Sequence, residues 1–158
     1  MCNNARVRAV VDSSSWISLA RAGLLGLLHT VPVEPVLLDV VHAEIVGEGR
    51  RGGYADAAAL TAAVAPFPVM ATKGREGQVD SRVLDVAQDI GVLIANDLAL
   101  GRRARSLGVA WIRTADLIAV AVRSGSMSSA DGIEALNALE ASGRITRELA
   151  DAYREQLK

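Results

Sequence analysis

The stretch Arg-Ala-Val-Val-Asp-Ser-Ser-Ser-Trp, from Arg8 to Trp16, decides how the rest of the chain is interpreted. Its apolar residues predict a buried strand over residues 6–12. The three serines after Asp12 favour the start of a helix, because their hydroxyls can accept hydrogen bonds from free backbone N–H groups. Asp12 stands between the two elements. Ligands of open α/β sheets bind at the carboxyl ends of the strands, so we expect Asp12 to face a functional site.

The remaining sequence alternates between strand and helix patterns. Short apolar runs predict further strands at Val36–Asp39, Val92–Ala95 and Val109–Ile112. This alternation indicates a three-layer α/β/α sandwich with a mainly parallel central sheet. We expect a single domain over residues 1–158, in which residues from about 128 to 158 form a C-terminal helical pair. The other predicted segments are helices over about 13–20, 24–28, 40–46, 56–64, 79–90, 98–107, 114–122, 128–141 and from 147 onward, an extended piece at 66–70, and loops at 47–53 and 73–77.

Composition excludes several classes of protein. The 158 residues are 51% hydrophobic and only 3% aromatic, and a single cysteine, Cys2, rules out disulfide frameworks and cysteine-based zinc sites. A net charge of −1 gives no overall basic field, so any contact with nucleic acid must be local. No apolar run is long enough to span a bilayer, and the N-terminus lacks the layout of a signal peptide. These features predict a cytoplasmic protein without a membrane partner.

Four acidic residues form the candidate catalytic and metal-binding set: Asp12, Glu44, Asp80 and Asp97. Asp12 and Asp97 end predicted strands, whereas Glu44 and Asp80 lie on predicted helices that can reach the same sheet edge. Clustered carboxylates repel one another unless a cation is present, and Mg²⁺ or Mn²⁺ prefers such oxygen ligands. A bound metal would activate water for displacement at phosphorus. The two histidines do not complete a Ser-His-Asp or Cys-His set.

Each acid also has a purely structural interpretation. Asp12 and Asp97 can cap helices, Asp80 can favour a helix N-terminus, and Glu44 can be a solvated helical residue. Further candidates divide into two groups. Ser14, Asn96 and Asp116 are candidate supporting residues behind the acids, with Asp116 also suited to a helix N-terminus. Arg102, Arg103 and Arg105 follow Asp97 and suit either RNA phosphates or a solvated helix face.

Several motifs together resemble PIN-domain ribonucleases, in a bacterial branch related to VapC toxins. These are Asp12-Ser13-Ser14 after an apolar strand, Val40 to Ile45 around Glu44, Asp80 to Ala87, Val92 to Asp97, and Gly108 to Leu117. The ending, Gly125 to Ser128 followed by two predicted helices, is what resembles the VapC-related branch. The order and spacing of the four acids agree with that family, and the resemblance covers nearly the whole chain.

The resemblance implies a function, a cofactor and partners. It implies an endoribonuclease dependent on Mg²⁺ or Mn²⁺, with Asp12, Glu44, Asp80 and Asp97 binding metal. It also implies the toxin of a toxin–antitoxin pair, a separate antitoxin chain and a homodimer. Two features depart from the family. Ala95 stands where many members have Thr or Ser, and the loop with Arg50 and Arg51 is unusual.

Other functions fit the residues less well. A haloacid-dehalogenase-like phosphatase needs a second acid two residues after the first, and position 14 is Ser. A receiver domain needs a lysine downstream, and the interior lysine, Lys73, lies in a predicted loop. The serious alternative is a PIN-like module that binds RNA or protein with little or no cleavage. The two readings differ in whether the four carboxylates meet at one sheet edge.

Overall fold

The protein is described from a computed structural model, which covers residues 6–51, 54–72 and 78–158; for residues 48–51 and 54–57 only the backbone is described. These residues form a five-stranded sheet in the order β3-β2-β1-β4-β5, and each neighbouring pair is parallel. The strands are β1 (Val7–Val11), β2 (Val33–Leu38), β3 (Val69–Met70), β4 (Val92–Ile94) and β5 (Ala110–Ile112).

Nine helices connect and follow the strands within the described ranges. They flank the sheet, which confirms the predicted three-layer α/β/α architecture with a parallel sheet and a C-terminal helical pair. The helices are α1 (Ser13–Arg21), α2 (Leu27–Thr30), α3 (Asp39–Arg51), α4 (Tyr54–Val64), α5 (Val79–Ile90), α6 (Leu98–Ser106), α7 (Thr114–Arg123), α8 (Ser129–Ala141) and α9 (Arg147–Gln156).

The central strands are buried on both faces, as their continuous apolar sequences predict. Ala9, Val10 and Val11 of β1 and Leu93 and Ile94 of β4 are fully buried. Helices cover both sides of such a parallel sheet, so the inner positions of these strands are apolar. Arg8, in the exposed first part of β1, is the exception, and the polar side chains of the site follow the carboxyl ends of the strands.

The sheet changes direction between β1 and β4. From β1 the chain moves outward to β2 and β3 on one side, and it returns to place β4 and β5 on the other. Val11 pairs with Ile94, and the backbone N–H of Asp12 donates to the carbonyl of Ile94 at 3.1 Å. Ligands of open α/β sheets bind at such a switch point, beyond the carboxyl ends of the two strands. Asp12 stands at that position.

Three sequence predictions are wrong in detail. The helix predicted over about 24–28 lies further along the chain as α2, Leu27–Thr30. β2 begins at Val33 rather than Val36, with Pro35 inside a strand that pairs with β1 through most of its length. The Gly/Arg-rich segment 47–53, predicted as a loop, is helical to Arg51, because α3 continues through it. Glycine inside a helix costs only about 1 kcal/mol, which the surrounding helix can offset. Residues 52–53 and the predicted loop 73–77 lie outside the described residues.

The C-terminal helices pack against α7. Both α8 and α9 contact α7 and each other, and the Tyr153 hydroxyl on α9 donates a hydrogen bond to Asp116 on α7. Burial of Leu136, Leu139 and Ala150 continues the core into this pair. The turn between α8 and α9 is thereby fixed relative to the sheet. In the described part of the chain, no helix has the length and apolar character needed to cross a membrane.

Candidate active site

The four predicted acids meet at one cavity. Asp12, Glu44, Asp80 and Asp97 all line a pocket of about 190 Å³ at the carboxyl edge of the sheet. They come from four separate segments: the end of β1, the middle of α3, the first turn of α5 and the loop after β4. Other lining residues are Ser13, Ser14, Val79, Val83 and Leu100.

Asp12 is buried at the base of this cavity and is fixed through both carboxylate oxygens. Its side chain is only 6% exposed. Oδ1 accepts the backbone N–H of Ser15 at 2.9 Å, which caps α1, and Oδ2 accepts the Ser14 hydroxyl at 3.2 Å. The structural interpretation of Asp12 as a helix cap is therefore correct. The same contacts orient its carboxylate beside the cavity, so capping and a role in the site coexist.

Asp97 also caps a helix, at the end of β4. Its Oδ1 accepts the N–H of Leu100 at 2.8 Å and caps α6, while the side chain as a whole is exposed. Ala95 precedes it where a hydroxyl was expected. The structure supports this loop differently, because the Trp111 indole donates to the Ala95 carbonyl at 2.8 Å. The Asp97 carboxylate is thus held by backbone contacts.

Glu44 is oriented by a hydroxyl that the sequence interpretation did not single out. The Ser13 hydroxyl donates a hydrogen bond to the Glu44 carboxylate across the gap between α1 and α3. Both residues line the acid cavity. Glu44 is exposed, so this bond is the contact that directs its side chain toward Asp12 rather than into solvent. The one feature of the sequence that could have identified Ser13 as a site residue is its position directly after Asp12.

Burial raises the pKa of Asp12 above its ordinary value of 3.8, and the nearby charge of Asp80 raises that pKa further. The hydrogen bonds from Ser15 and Ser14 act in the opposite direction. Ionising Asp12 therefore costs free energy in this fold, since a buried negative charge stands beside another carboxylate. A cation in the cavity would remove that cost.

The donor chemistry of the cavity fits a hard divalent cation. Carboxylate and hydroxyl oxygens surround it, and Mg²⁺ or Mn²⁺ prefers such ligands. Within the ranges that the structure describes, no three His, Cys, Asp or Glu side chains form a ready-made metal-binding group. Mg²⁺ does not require one, because it commonly keeps several waters and uses one or two protein carboxylates. Asp12, Glu44, Asp80 and Asp97 are the residues that would hold such a cation.

The candidate supporting residues occupy different positions. Ser14 bonds Asp12 directly. Asn96 lies beside the acid cavity rather than among its described lining residues, and its amide group exchanges hydrogen bonds with Thr114, which joins the end of β4 to α7. Asp116 is also outside that lining. It accepts the N–H of Arg113 at 2.8 Å and the Tyr153 hydroxyl, so it organises the start of α7.

The three arginines predicted as RNA contacts lie along α6. Arg102, Arg103 and Arg105 are all exposed, and none is among the described residues that line the acid cavity. Arg105 instead lines an open pocket with Gly108 and Trp111, where β5 begins. α6 begins at Leu98, directly after its capping residue Asp97, and runs away from the carboxyl edge, so Arg105 is at the opposite end of the helix from the acids.

A larger groove adjoins the acid cavity. It has a volume of about 620 Å³ and shares Ser13, Ser14, Glu44 and Val79 with that cavity. Its other lining residues include Ile17, Val40 and Arg144. Arg144 lies in the turn between α8 and α9, more than a hundred residues from Asp12 along the chain. No local pattern marks it, because only the packing of the C-terminal helices brings it to this edge.

Comparisons with protein-family models, with curated proteins and with solved structures gave no match for this chain. A functional assignment therefore depends on the geometry of the acid cavity and on the resemblance carried by the sequence motifs.

Proposed function

We propose that this protein is a divalent-metal-dependent endoribonuclease of the PIN type, which uses Mg²⁺ or Mn²⁺. The observation that supports this proposal is the convergence of Asp12, Glu44, Asp80 and Asp97 on one cavity at the switch point of the sheet. The four acids are far apart along the sequence, so helix capping alone does not explain why they meet at one cavity. Among the described residues, neither the Glu44 nor the Asp80 side chain forms a helix-capping hydrogen bond, yet both line the cavity.

The chemistry follows from the donors. A bound metal would supply a water of lowered pKa and stabilise the negative charge that develops on the phosphate oxygens. Asp12 and Asp97 would orient the metal through oxygens held by backbone N–H groups. Ser13 would keep Glu44 in place at the mouth of the cavity. The apolar walls formed by Val79, Val83 and Leu100 would limit the access of bulk water.

The biological setting is part of the same proposal and is supported by the sequence motifs alone. By their resemblance to VapC-related proteins, the chain would be the toxin of a toxin–antitoxin pair, act as a homodimer in the cytoplasm and be inhibited by a separate antitoxin chain.

A second candidate function has an observation in its favour. Glu44, Asp80 and Asp97 are exposed, so water can solvate their carboxylates without a bound cation. The same fold would then suit a module that binds RNA or protein without cutting it. The two functions differ in one measurable property, which is turnover that depends on both metal and carboxylates.

The experiment is a cleavage assay with purified protein and a pool of structured RNAs in Mg²⁺, Mn²⁺ or EDTA. Asp12→Asn and Asp97→Asn each remove one charge at the cavity. Asp85→Asn is the matched control, because Asp85 is an exposed acid on α5 that does not line the cavity. We expect metal-dependent cutting by the wild type and by Asp85→Asn, and a loss of about 100-fold or more in the other two variants.

Two outcomes would contradict the proposal. Cutting that persists in Asp12→Asn and Asp97→Asn would place the activity elsewhere. A folded wild-type protein that binds the RNA pool but cuts none of it in either metal would establish the binding module instead.

A further inference from the structure

Two arginines converge on a cavity next to Asp97. Arg113 stands directly before α7, and Arg144 lies in the turn between α8 and α9. Both line a pocket of about 220 Å³ together with Asn96 and Leu98, the residues on either side of Asp97. The arginine pocket therefore lies immediately beside the acid site along the carboxyl edge of the sheet.

Arg144 also joins this pocket to the larger groove. It lines the groove of about 620 Å³ along with Ser13, Ser14 and Glu44, and those three residues line the acid cavity as well. The acid cavity, the groove and the arginine pocket thus form one connected surface. A chain molecule lying along it would pass the carboxylates and then meet two cations.

The charges of these arginines are available to a ligand. In the described part of the chain, no hydrogen bond or ion pair is formed by the Arg144 side chain, whereas Arg154 in the same helical pair bonds Glu140 and Asp151. The Arg113 guanidinium lies 4.6 Å from the centre of the Trp111 ring, which fixes its position. The first turn of α9, after Thr146, faces the same pocket and adds partial positive charge.

We propose that Arg113 and Arg144 form a binding subsite for a backbone phosphate of the RNA strand, next to the phosphate at the acid cavity. This inference rests on the proposed ribonuclease function and names how its substrate is positioned. The planar guanidinium donates two parallel hydrogen bonds to phosphate oxygens, which a lysine cannot do. Since the chain has a net charge of −1, such a local site is needed to hold a polyanion beside four carboxylates.

The test measures binding rather than cleavage. A short fluorescein-labelled oligouridylate is titrated with full-length protein in EDTA, and anisotropy is followed over a series of salt concentrations. Arg144→Gln should bind about tenfold more weakly, with a salt slope shallower by about 0.7, the contribution of one phosphate contact on a single strand. The affinity of Arg144→Lys should lie between those of the wild type and Arg144→Gln, because lysine keeps the charge and loses the planar donor pair.

Arg147→Gln is the matched control. Arg147 is three residues away, carries the same charge and is exposed, but it does not line the arginine pocket and pairs only loosely with Asp151 at 3.9 Å. The Arg147→Gln variant should bind oligouridylate with wild-type affinity. Thermal melts should show that all variants are folded. Arg113→Gln should resemble Arg144→Gln in affinity and in salt slope.

Three results would overturn the subsite. These are unchanged affinity and slope in Arg144→Gln, absence of oligouridylate binding by the wild type, and displacement of the RNA by polyglutamate as readily as by polyphosphate, which would indicate an acidic protein partner. The binding data are independent of turnover. A loss of affinity in Arg144→Gln, in a protein that cuts no RNA, would support the subsite and reject the nuclease. Normal affinity in Arg144→Gln, in a protein that cuts RNA, would reject the subsite and support the nuclease.

Discussion

Asp12 and Asp80 face the same cavity from two different elements, and the charge of Asp80 adds to the effect of burial on Asp12. Asp12 ends the central strand and is nearly inaccessible to solvent, whereas Asp80 is exposed in the first turn of α5. α5 packs directly on β1, so the backbone positions of the two residues are fixed relative to each other by the core. The fold thus maintains a repulsion that a bound cation would relieve.

This relationship predicts that Asp12→Asn stabilises the metal-free protein at neutral pH. The folded pKa of Asp12 lies above 3.8, so the native state binds a proton that the unfolded chain has lost. The free energy of unfolding of the wild type therefore falls as pH rises from 3.8 through the folded pKa. Asparagine keeps the acceptor for Ser15 and caps a helix as well as aspartate does, but it carries no charge. Thermal melts in EDTA over a pH series measure the difference.

We expect a higher midpoint for Asp12→Asn than for the wild type at pH 7, and no such gain at pH values below 3.8. Asp85→Asn should follow the wild type throughout. A neutral-pH midpoint for Asp12→Asn below that of the wild type would show that the carboxylate is a net stabilising group, contrary to this account.

Removing the Ser13 hydroxyl should weaken metal binding without unfolding the protein. Ser13→Ala releases Glu44, which is exposed and forms no other side-chain hydrogen bond within the part of the chain that the structure describes. Partners that orient the groups around a metal typically affect affinity by about 10- to 100-fold, so we expect a decrease of about tenfold in Mn²⁺ affinity. Ser13→Thr, which keeps the hydroxyl, should restore it. Equal Mn²⁺ affinity in Ser13→Ala and wild type would assign the Ser13–Glu44 bond no role in the site.

The fold could be predicted from the sequence because its strongest signals are local. The apolar run before Asp12, the period of residues 79–90 and the glycine at Gly91, which adopts a φ of 98° at the end of α5, each specify an element without reference to the rest of the chain. Prediction from local signals fails where tertiary contacts determine the structure. Pro35 lies inside β2, and α3 continues through Gly47, since sheet pairing and helix propagation outweigh single-residue preferences.

The candidate site was partly predictable for the same reason. Asp12 and Asp97 follow strands, and parallel topology brings strand ends together. By contrast, Arg144 reaches the groove only through the packing of α8 and α9 on α7, and the hydrogen bond from Ser13 to Glu44 spans 31 positions. Asp116 is separated from the acids by its hydrogen bonds from the Arg113 N–H and the Tyr153 hydroxyl. Such long-range relations leave no periodicity in a single sequence.

Two helical glycines should respond to alanine in opposite ways. A Cβ at Gly101 would lie 2.0 Å from a ring carbon of Trp111, whose indole also supports the Ala95 carbonyl beside the site. Gly101→Ala should therefore cost on the order of 2 kcal/mol, which lowers the melting midpoint by about 4–8 °C. A Cβ at Gly47 meets nothing within 4 Å. Gly47→Ala should gain about 0.5–1 kcal/mol from helix propensity. Equal effects of the two changes in differential scanning calorimetry would argue against the packing of α6 on Trp111.

The central claim is that the carboxylates at the switch point bind a divalent cation, and calorimetric titration of Mn²⁺ into the RNA-free protein at pH 7 tests it most directly. Asp97 lines the cavity, whereas Asp85 is exposed on α5 away from it. We predict saturable binding by the wild type and by Asp85→Asn, and an affinity at least about tenfold lower for Asp97→Asn. Mn²⁺ binding that is absent from the folded wild type, or unchanged in Asp97→Asn, would contradict the account.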